Sequence, residues 1–381
     1  MTTLRTLGGD VVVPPISQAL SWGKDYTGSL AVIDASQGTS GATPPQDKVG
    51  LEEGSEHYGP RWGAASLREA IAEDLCIQYG TTEITPEDVL VTAGCNEAFC
   101  VVTRALVAPG DSVVLLSPYY FNHDMWLKLN GIEPIYLTLS GDGRVDGKAL
   151  LAATERAAAI CAVSPGNPTG LELSGKSIEL IASACRRYEI PFILDETYAF
   201  VRRNPSRPPH RLFANDEWRN HFISLRSMSK EFSIPGYRVG AAIGGQRVLE
   251  AAAKWHDCIS IVAPSPGQAF AEFALAHLTD WRGALADDIR LKGERFVERL
   301  ALANTGFEVQ SWGGFFAWLK HPFVGMTDEE AAKRVASDVG VLTVPGSYFA
   351  AGDTGHLRLS YAALSGSVLD DIVGRLKEVS R

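Results

Sequence analysis

The chain is predicted to adopt an α/β fold, with a large domain on a mostly parallel seven-stranded sheet flanked by helices and a smaller α+β domain after it. The first observation is a series of short apolar runs, Val89–Thr92, Ser112–Leu116, Glu133–Leu137, Ala158–Val163, Pro191–Leu194, Phe222–Leu225 and Val239–Ile243, most of them separated by helix-length segments. Such alternation marks parallel strands joined by helical crossovers. The second is size: 381 residues, 45% hydrophobic and 21% charged, can bury a large core and lie near the length at which a chain divides in two. The third is a change of pattern after Gln246. Long helical stretches, Leu285–Ala303 among the longest, give way to strands at Phe315–Leu319, Val341–Val344 and Leu357–Ser360, with helices near Asp328–Ser337 and Ser367–Val379.

In chain order, residues 1–44 form an arm expected to join the small domain, with a proline-broken start, a short helix near Ile16–Trp22 and the turn Ser36-Gln37-Gly38. The stretch Pro44–Gly63 is rich in Gly, Pro and charge and is read as a loop. Ser66–Tyr79 carries Leu67, Ile71 and Leu75 at helical spacing and stops at Gly80. Residues 45–285 are taken as the large domain and 286–381 as the small one. A formal net charge of -10 with no basic block argues against nucleic acid and anionic membrane as partners and favours a small molecule. The six cysteines stand singly, which suggests reduced thiols in a cytoplasmic protein without a metal site. No targeting or membrane-spanning run is recognised.

Candidate chemistry centres on Ser227–Gly240, which reads Ser-Met-Ser-Lys-Glu-Phe-Ser-Ile-Pro-Gly-Tyr-Arg-Val-Gly. Lys230 follows the apolar run Phe222–Leu225, so it lies on a loop at a strand's carboxyl end, where α/β folds build sites. A lysine amine that is desolvated beside another cation is free at neutral pH and can form a Schiff base with a carbonyl compound. Ser227, Ser229 and Arg238 offer hydroxyls and a guanidinium to a phosphate. Gly94, Cys95 and Asn96 open a helix after a strand, so their backbone amides suit an anion. Tyr119 and Tyr120, in Ser-Pro-Tyr-Tyr-Phe-Asn-His, offer an aromatic face to a flat ring. Asp195 is a carboxylate at a buried strand end, with Tyr198 three residues on, and Arg358 stands within a strand, where a guanidinium can grip a carboxylate.

Ser-Xaa-Ser-Lys followed by Gly-Tyr-Arg-Val-Gly resembles the cofactor-lysine motif of fold-type I aminotransferases, the class I/II family. Ser164-Pro165-Gly166-Asn167-Pro168-Thr169-Gly170 is similarly family-specific, and the motifs occur in the family's order from Tyr58 to Arg358. The resemblance implies pyridoxal 5'-phosphate as cofactor, bound as a Schiff base at Lys230. Asp195 would hold the pyridinium nitrogen charged, Asn167 and Tyr198 would bond the ring oxygen, and Tyr120 would stack on the ring with Tyr119 as rival. Arg358 would take the α-carboxylate of an amino acid, and the Gln37-Gly38 loop would border the substrate. Tyr58 resembles the tyrosine that reaches the phosphate of a neighbouring subunit, implying a homodimer with shared sites. The family's dicarboxylate users carry a partner-subunit arginine some thirty residues after the lysine, whereas Asp257–Ser265 here holds no cation, so neutral or basic amino acids are expected over aspartate.

Two alternatives stay open at this level. Elimination, decarboxylation or ring closure would use the same cofactor on the same fold. More remotely, Gly170-Leu171-Glu172-Leu173-Ser174-Gly175-Lys176-Ser177 matches the P-loop pattern of nucleotide triphosphatases, although two prolines separate it from its strand.

Overall fold

The computed structural model describes residues 11, 14–45 and 57–379. Its strands are β1 (Ile33–Asp34), β2 (Val89–Thr92), β3 (Ser112–Ser117), β4 (Glu133–Thr138), β5 (Ala159–Val163), β6 (Phe192–Asp195), β7 (Phe222–Arg226), β8 (Gly240–Ile243), β9 (Glu308–Gly313), β10 (Phe316–Lys320), β11 (Val341–Leu342), β12 (Val344–Pro345) and β13 (His356–Ser360). The large sheet has the order β2-β8-β7-β6-β5-β3-β4. Only β8 is reversed in it, antiparallel to both β2 and β7. Alternate residues of each strand enter opposite cores: Val89 and Val91 pack on the face covered by the helices Ala65–Tyr79 and Ser265–His277, and Leu90 on the face covered by Cys95–Leu106 and Gln246–Ile259. Burial on both faces is why these strands read as continuous apolar runs rather than as alternating ones.

The chain steps outward from β3 to β4 and then returns to the other side of β3 at β5. The carboxyl ends of β3 and β5 therefore flank a topological switch point, the place where open α/β sheets leave a crevice.

The second sheet has the order β12-β13-β10-β9 and is antiparallel throughout. Strand β9 is missing from the sequence reading because Glu-Val-Gln-Ser-Trp-Gly has no apolar run. The single strand expected over Val341–Val344 is divided at Thr343: β11 pairs with β1 in a parallel two-stranded ribbon, and β12 pairs with β13. Ala19 and Trp22, from the helix Pro15–Trp22, pack in the same core as Phe296, Phe316 and Leu359.

The P-loop alternative does not survive. Within the matched loop Gly170 N bonds Gly166 O (2.8 Å), Leu171 N bonds Thr169 Oγ1 (3.3 Å) and Leu173 N bonds Ser164 Oγ (3.0 Å). Ser174 caps the helix Gly175–Tyr188 by accepting from Ser177 N. A phosphate cradle needs those donors free.

Gly170 (φ +66°) lies against Gly313, and a β-carbon on it would collide with the Gly313 backbone. The hydroxyl of Ser311 in β9 also bonds Thr169 O at 2.8 Å, so the Asn167–Gly170 loop is clamped onto the second sheet. Gly170→Ala should cost about 2 kcal/mol or more, from left-handed strain together with overpacking. Gly175→Ala, at an open helical position, should be neutral or slightly stabilising. Thermal melts of both variants check this.

Candidate active site

Each wall of the crevice comes from a strand end. Asp195 closes β6, Ser227 and the one-turn helix Met228–Glu231 follow β7, Tyr120 follows β3, and Asn167 follows β5. Between them lies a cavity of about 510 Å³, counting its mouth, lined by Cys95, Asn96, Tyr120, Val163, Asn167, Asp195, Thr197, Tyr198, Ser227, Ser229, Lys230 and Arg238. Lys230 is only partly buried as a residue, but its amine is enclosed and donates to Gly38 O at 2.8 Å. Burial, then the cations Arg238 and Arg358, lower its pKa to about 8.

Asp195 is 3% exposed. Its Oδ1 accepts from Thr197 N at 2.9 Å, and its Oδ2 lies 3.4 Å from His123 Nε2. Burial acts to raise its pKa, but the bond and charge of His123 and the bonds from Thr197 outweigh that and hold the carboxyl below its ordinary value. The carboxylate is therefore ionised at neutral pH.

Of the two tyrosines, Tyr120 lines the cavity, while Tyr119 is buried and stacks on Tyr136 at 4.9 Å. Tyr198 packs edge-on against Phe315 and Phe316, and burial raises its phenol well above the usual range, so it stays protonated. Arg358 is almost fully buried between the rings of Phe316 and Phe349, 4.7 and 5.0 Å from their centroids. Its Nη1 donates to Asn167 Oδ1 at 2.8 Å and its Nη2 to Ser36 O, while its Nε is buried without a hydrogen-bond partner among the described residues. Burial lowers its pKa to about 10, which leaves it a cation at neutral pH.

Arg238 is exposed, in a left-handed conformation (φ 52°), with bonds to Pro235 O (2.8 Å) and Ala93 O (3.2 Å). A β-carbon on Gly94 would strike its guanidinium, so a glycine there admits the cation. The Gly94 amide bonds back to Thr92 O, which leaves the amides of Cys95 and Asn96, in the first helical turn, for an anion. Gly38 reaches the site through its carbonyl oxygen. Tyr58 is 77% exposed and does not line the cavity of its own chain.

His123, Thr197 and Val163 are the site residues that sequence reasoning missed. The signal for His123 was its place three residues after Tyr120 at a helix start, a spacing that puts both side chains on one face.

Pyridoxal phosphate fits these residues. The cavity has an ionised buried carboxylate for a ring nitrogen, an aromatic face, an amine of lowered pKa, and at one end two serines, Arg238 and a helix N-terminus for a phosphate. In the cofactor-free chain the Lys230 amine opposes folding. Its folded pKa of about 8 lies below the unfolded value, so the penalty is full below pH 8 and fades as pH rises towards about 10.5. Discounted for partial solvent access, it is on the order of 2 kcal/mol. Cofactor-free Lys230→Met should therefore melt higher than the parent at pH 7, and the gap should narrow above pH 10.

The model of the family described as aminotransferase class I and II matches residues 32–376. A probable aspartate/prephenate aminotransferase of Thermus aquaticus is 30% identical, over 82% of this chain and 81% of its own length. An aromatic aminotransferase of Arabidopsis thaliana is 28% identical over 99% and 96%. The structure of the Thermus thermophilus aspartate aminotransferase with maleate superposes with a TM-score of 0.86 at 25% identity, over all of both chains. Fold, cavity and relatives agree: this chain belongs to the class I and II aminotransferases and is a pyridoxal-phosphate-dependent enzyme of fold type I.

Proposed function

We propose that the enzyme moves an amino group between an amino acid and a 2-oxo acid, with Lys230 as covalent anchor of the cofactor and as the group that carries the proton. The observation that carries this is an amine lowered to about pH 8 in the same cavity as an ionised, buried Asp195. When bound, pyridoxal phosphate supplies an electron sink for the charge left at the substrate's Cα. Lys230 Nζ would take the proton from that carbon and deliver it to the cofactor's C4′ carbon, and its near-neutral pKa suits it to act as base and then as acid. Asp195, held ionised by His123 and Thr197, bonds the ring nitrogen, while Asn167 and the protonated Tyr198 bond the ring oxygen. Tyr120 covers the ring. Ser227, Ser229, Arg238 and the amides of Cys95 and Asn96 take the phosphate, while Gly94, its own amide bonded to Thr92 O, serves by making room for Arg238. Arg358, whose Nε has no hydrogen-bond partner among the described residues, takes the substrate carboxylate, and the segment through Gly38 borders it. In this reading residues 45–285 bind the cofactor, while 286–381, joined by the arm 1–44, supply Arg358.

The working unit is a homodimer in this reading. Tyr58 and the neighbouring apolar residues Ile259 (53% exposed) and Ile261 (42%) are uncovered, with Gly59 beside Val262. A second copy would cover them and receive Tyr58 at its phosphate. Tyr58→Phe should weaken cofactor binding about five- to tenfold, the equivalent of one hydrogen bond to a charged group. Sedimentation as a fully active monomer would contradict the dimer.

Lys230→Ala should bind the cofactor reversibly and lose turnover, and a purified protein that no pyridoxal phosphate can reconstitute would overturn the assignment. The stretch Asp257–Ser265 offers no cation to a distal carboxylate, and a desolvated unpaired charge costs several kcal/mol. Neutral or basic donors should therefore exceed aspartate in kcat/KM, although relatives are named for aspartate. A clear aspartate preference refutes this.

A further inference from the structure

Outside the cavity lies a buried ionic network that the mechanism does not use. Glu196 directly follows Asp195 and Glu231 directly follows Lys230, and they are 1% and 0% exposed. Both oxygens of each carboxylate are engaged. Glu231 Oε1 accepts from Arg226 Nη2 (3.0 Å) and its Oε2 from Arg282 Nη1 (2.9 Å). Glu196 Oε1 accepts from Tyr79 OH (2.5 Å) and lies 3.4 Å from His210 Nε2, and its Oε2 accepts from Ser224 Oγ (2.6 Å). Tyr79 OH also accepts from Arg226 Nη1 at 3.3 Å. A continuous path of hydrogen bonds thus runs from the neighbour of Asp195 to the neighbour of Lys230. The helix Ala65–Tyr79 braces it three times, through Tyr79, through Gln78 to Arg226, and through Asp74 to Arg282.

Buried ion pairs add little stability over well-packed apolar groups, because desolvation offsets their attraction. What they can do, and apolar packing cannot, is fix distance and orientation within hydrogen-bond tolerance. Lys230 needs such support, since it rides on a one-turn helix, Met228–Glu231, whose own backbone bonds to Ser227 O are long, at 3.2 and 3.4 Å.

We propose that Arg226, Tyr79, Glu196 and Glu231 are positioning residues that hold Lys230 in register with Asp195. The proposal rests on the reading of those two as the working pair.

The test uses full-length Tyr79→Phe, Glu231→Gln, the double variant, and Phe213→Leu as control, since Phe213 packs edge-on against the Tyr79 ring at 4.8 Å with a side chain that makes no hydrogen bond to the polar path. Three quantities are read: melting temperature, kcat and KM for an amino acid, and the pH midpoint of Lys230 acetylation in cofactor-free protein by mass spectrometry. Each single variant should lower kcat about tenfold with KM within about twofold, and the double should be little worse than either, because residues acting as a unit are non-additive. Glu231→Gln leaves Arg226 and Arg282 short of one anion, so its acetylation midpoint should fall below that of the parent. The charged and titratable groups that act most on the amine in the parent, Arg238, Arg358 and Cys95, are unchanged. Phe213→Leu should lower only the melting temperature. If the Tyr79 and Glu231 variants behave like Phe213→Leu, or if their losses in kcat multiply, the proposal fails. Retention of turnover by Lys230→Ala would instead overturn the underlying reading, and the two failures are distinct.

Discussion

A lysine amine kept from water beside two guanidinium groups is the constraint that the rest of the site answers. Lys230 is reactive because burial, Arg238 and Arg358 disfavour its charged form. The same burial would lift a carboxyl out of its ionised state, and Asp195 is spared by His123 and Thr197. Two neighbouring groups are thus pushed in opposite protonation directions, the amine towards neutral and the acid towards charged. Holding such a pair needs a rigid frame, which the parallel register of β6 and β7 supplies by pairing Asp195 with Leu225.

Most of the fold was legible because the inner strands of the large sheet are buried on both faces, so they appear as apolar runs. The second sheet was only partly legible. Strand β9 exposes alternate residues and carries Gln, Ser and Glu, so it shows no run, and the division of Val341–Val344 depends on which partner each half meets, β1 or β13. Boundaries shifted by a residue for a physical reason too: Pro191 has no N–H for the ladder, and β6 begins at Phe192.

In the site, residues embedded in family-like strings came together as read, notably Lys230, Asp195, Asn167 and Tyr198. The choice between Tyr119 and Tyr120 was not legible, since both follow the same strand; the structure turns Tyr119 into the stack with Tyr136 and Tyr120 into the cavity. His123 was invisible as a partner of Asp195, 72 residues away, because only the β3–β5–β6 order brings them together. The P-loop match shows the converse. Its letters are correct, but its amides at Gly170, Leu171, Leu173 and Ser177 are bonded locally, so spacing alone carried no phosphate site.

The two sheets divide the work. The large sheet makes the end of the cavity that suits the cofactor, while Arg358 projects from β13 of the small one and is steadied by Ser36 of the arm and Asn167 of the large sheet's loop. Gly38, two residues past Ser36, holds the Lys230 amine. One short segment of the arm therefore touches both the cation that suits a carboxylate and the amine that handles the proton. Any movement of that segment changes both contacts together, because two residues of chain leave no slack to uncouple them.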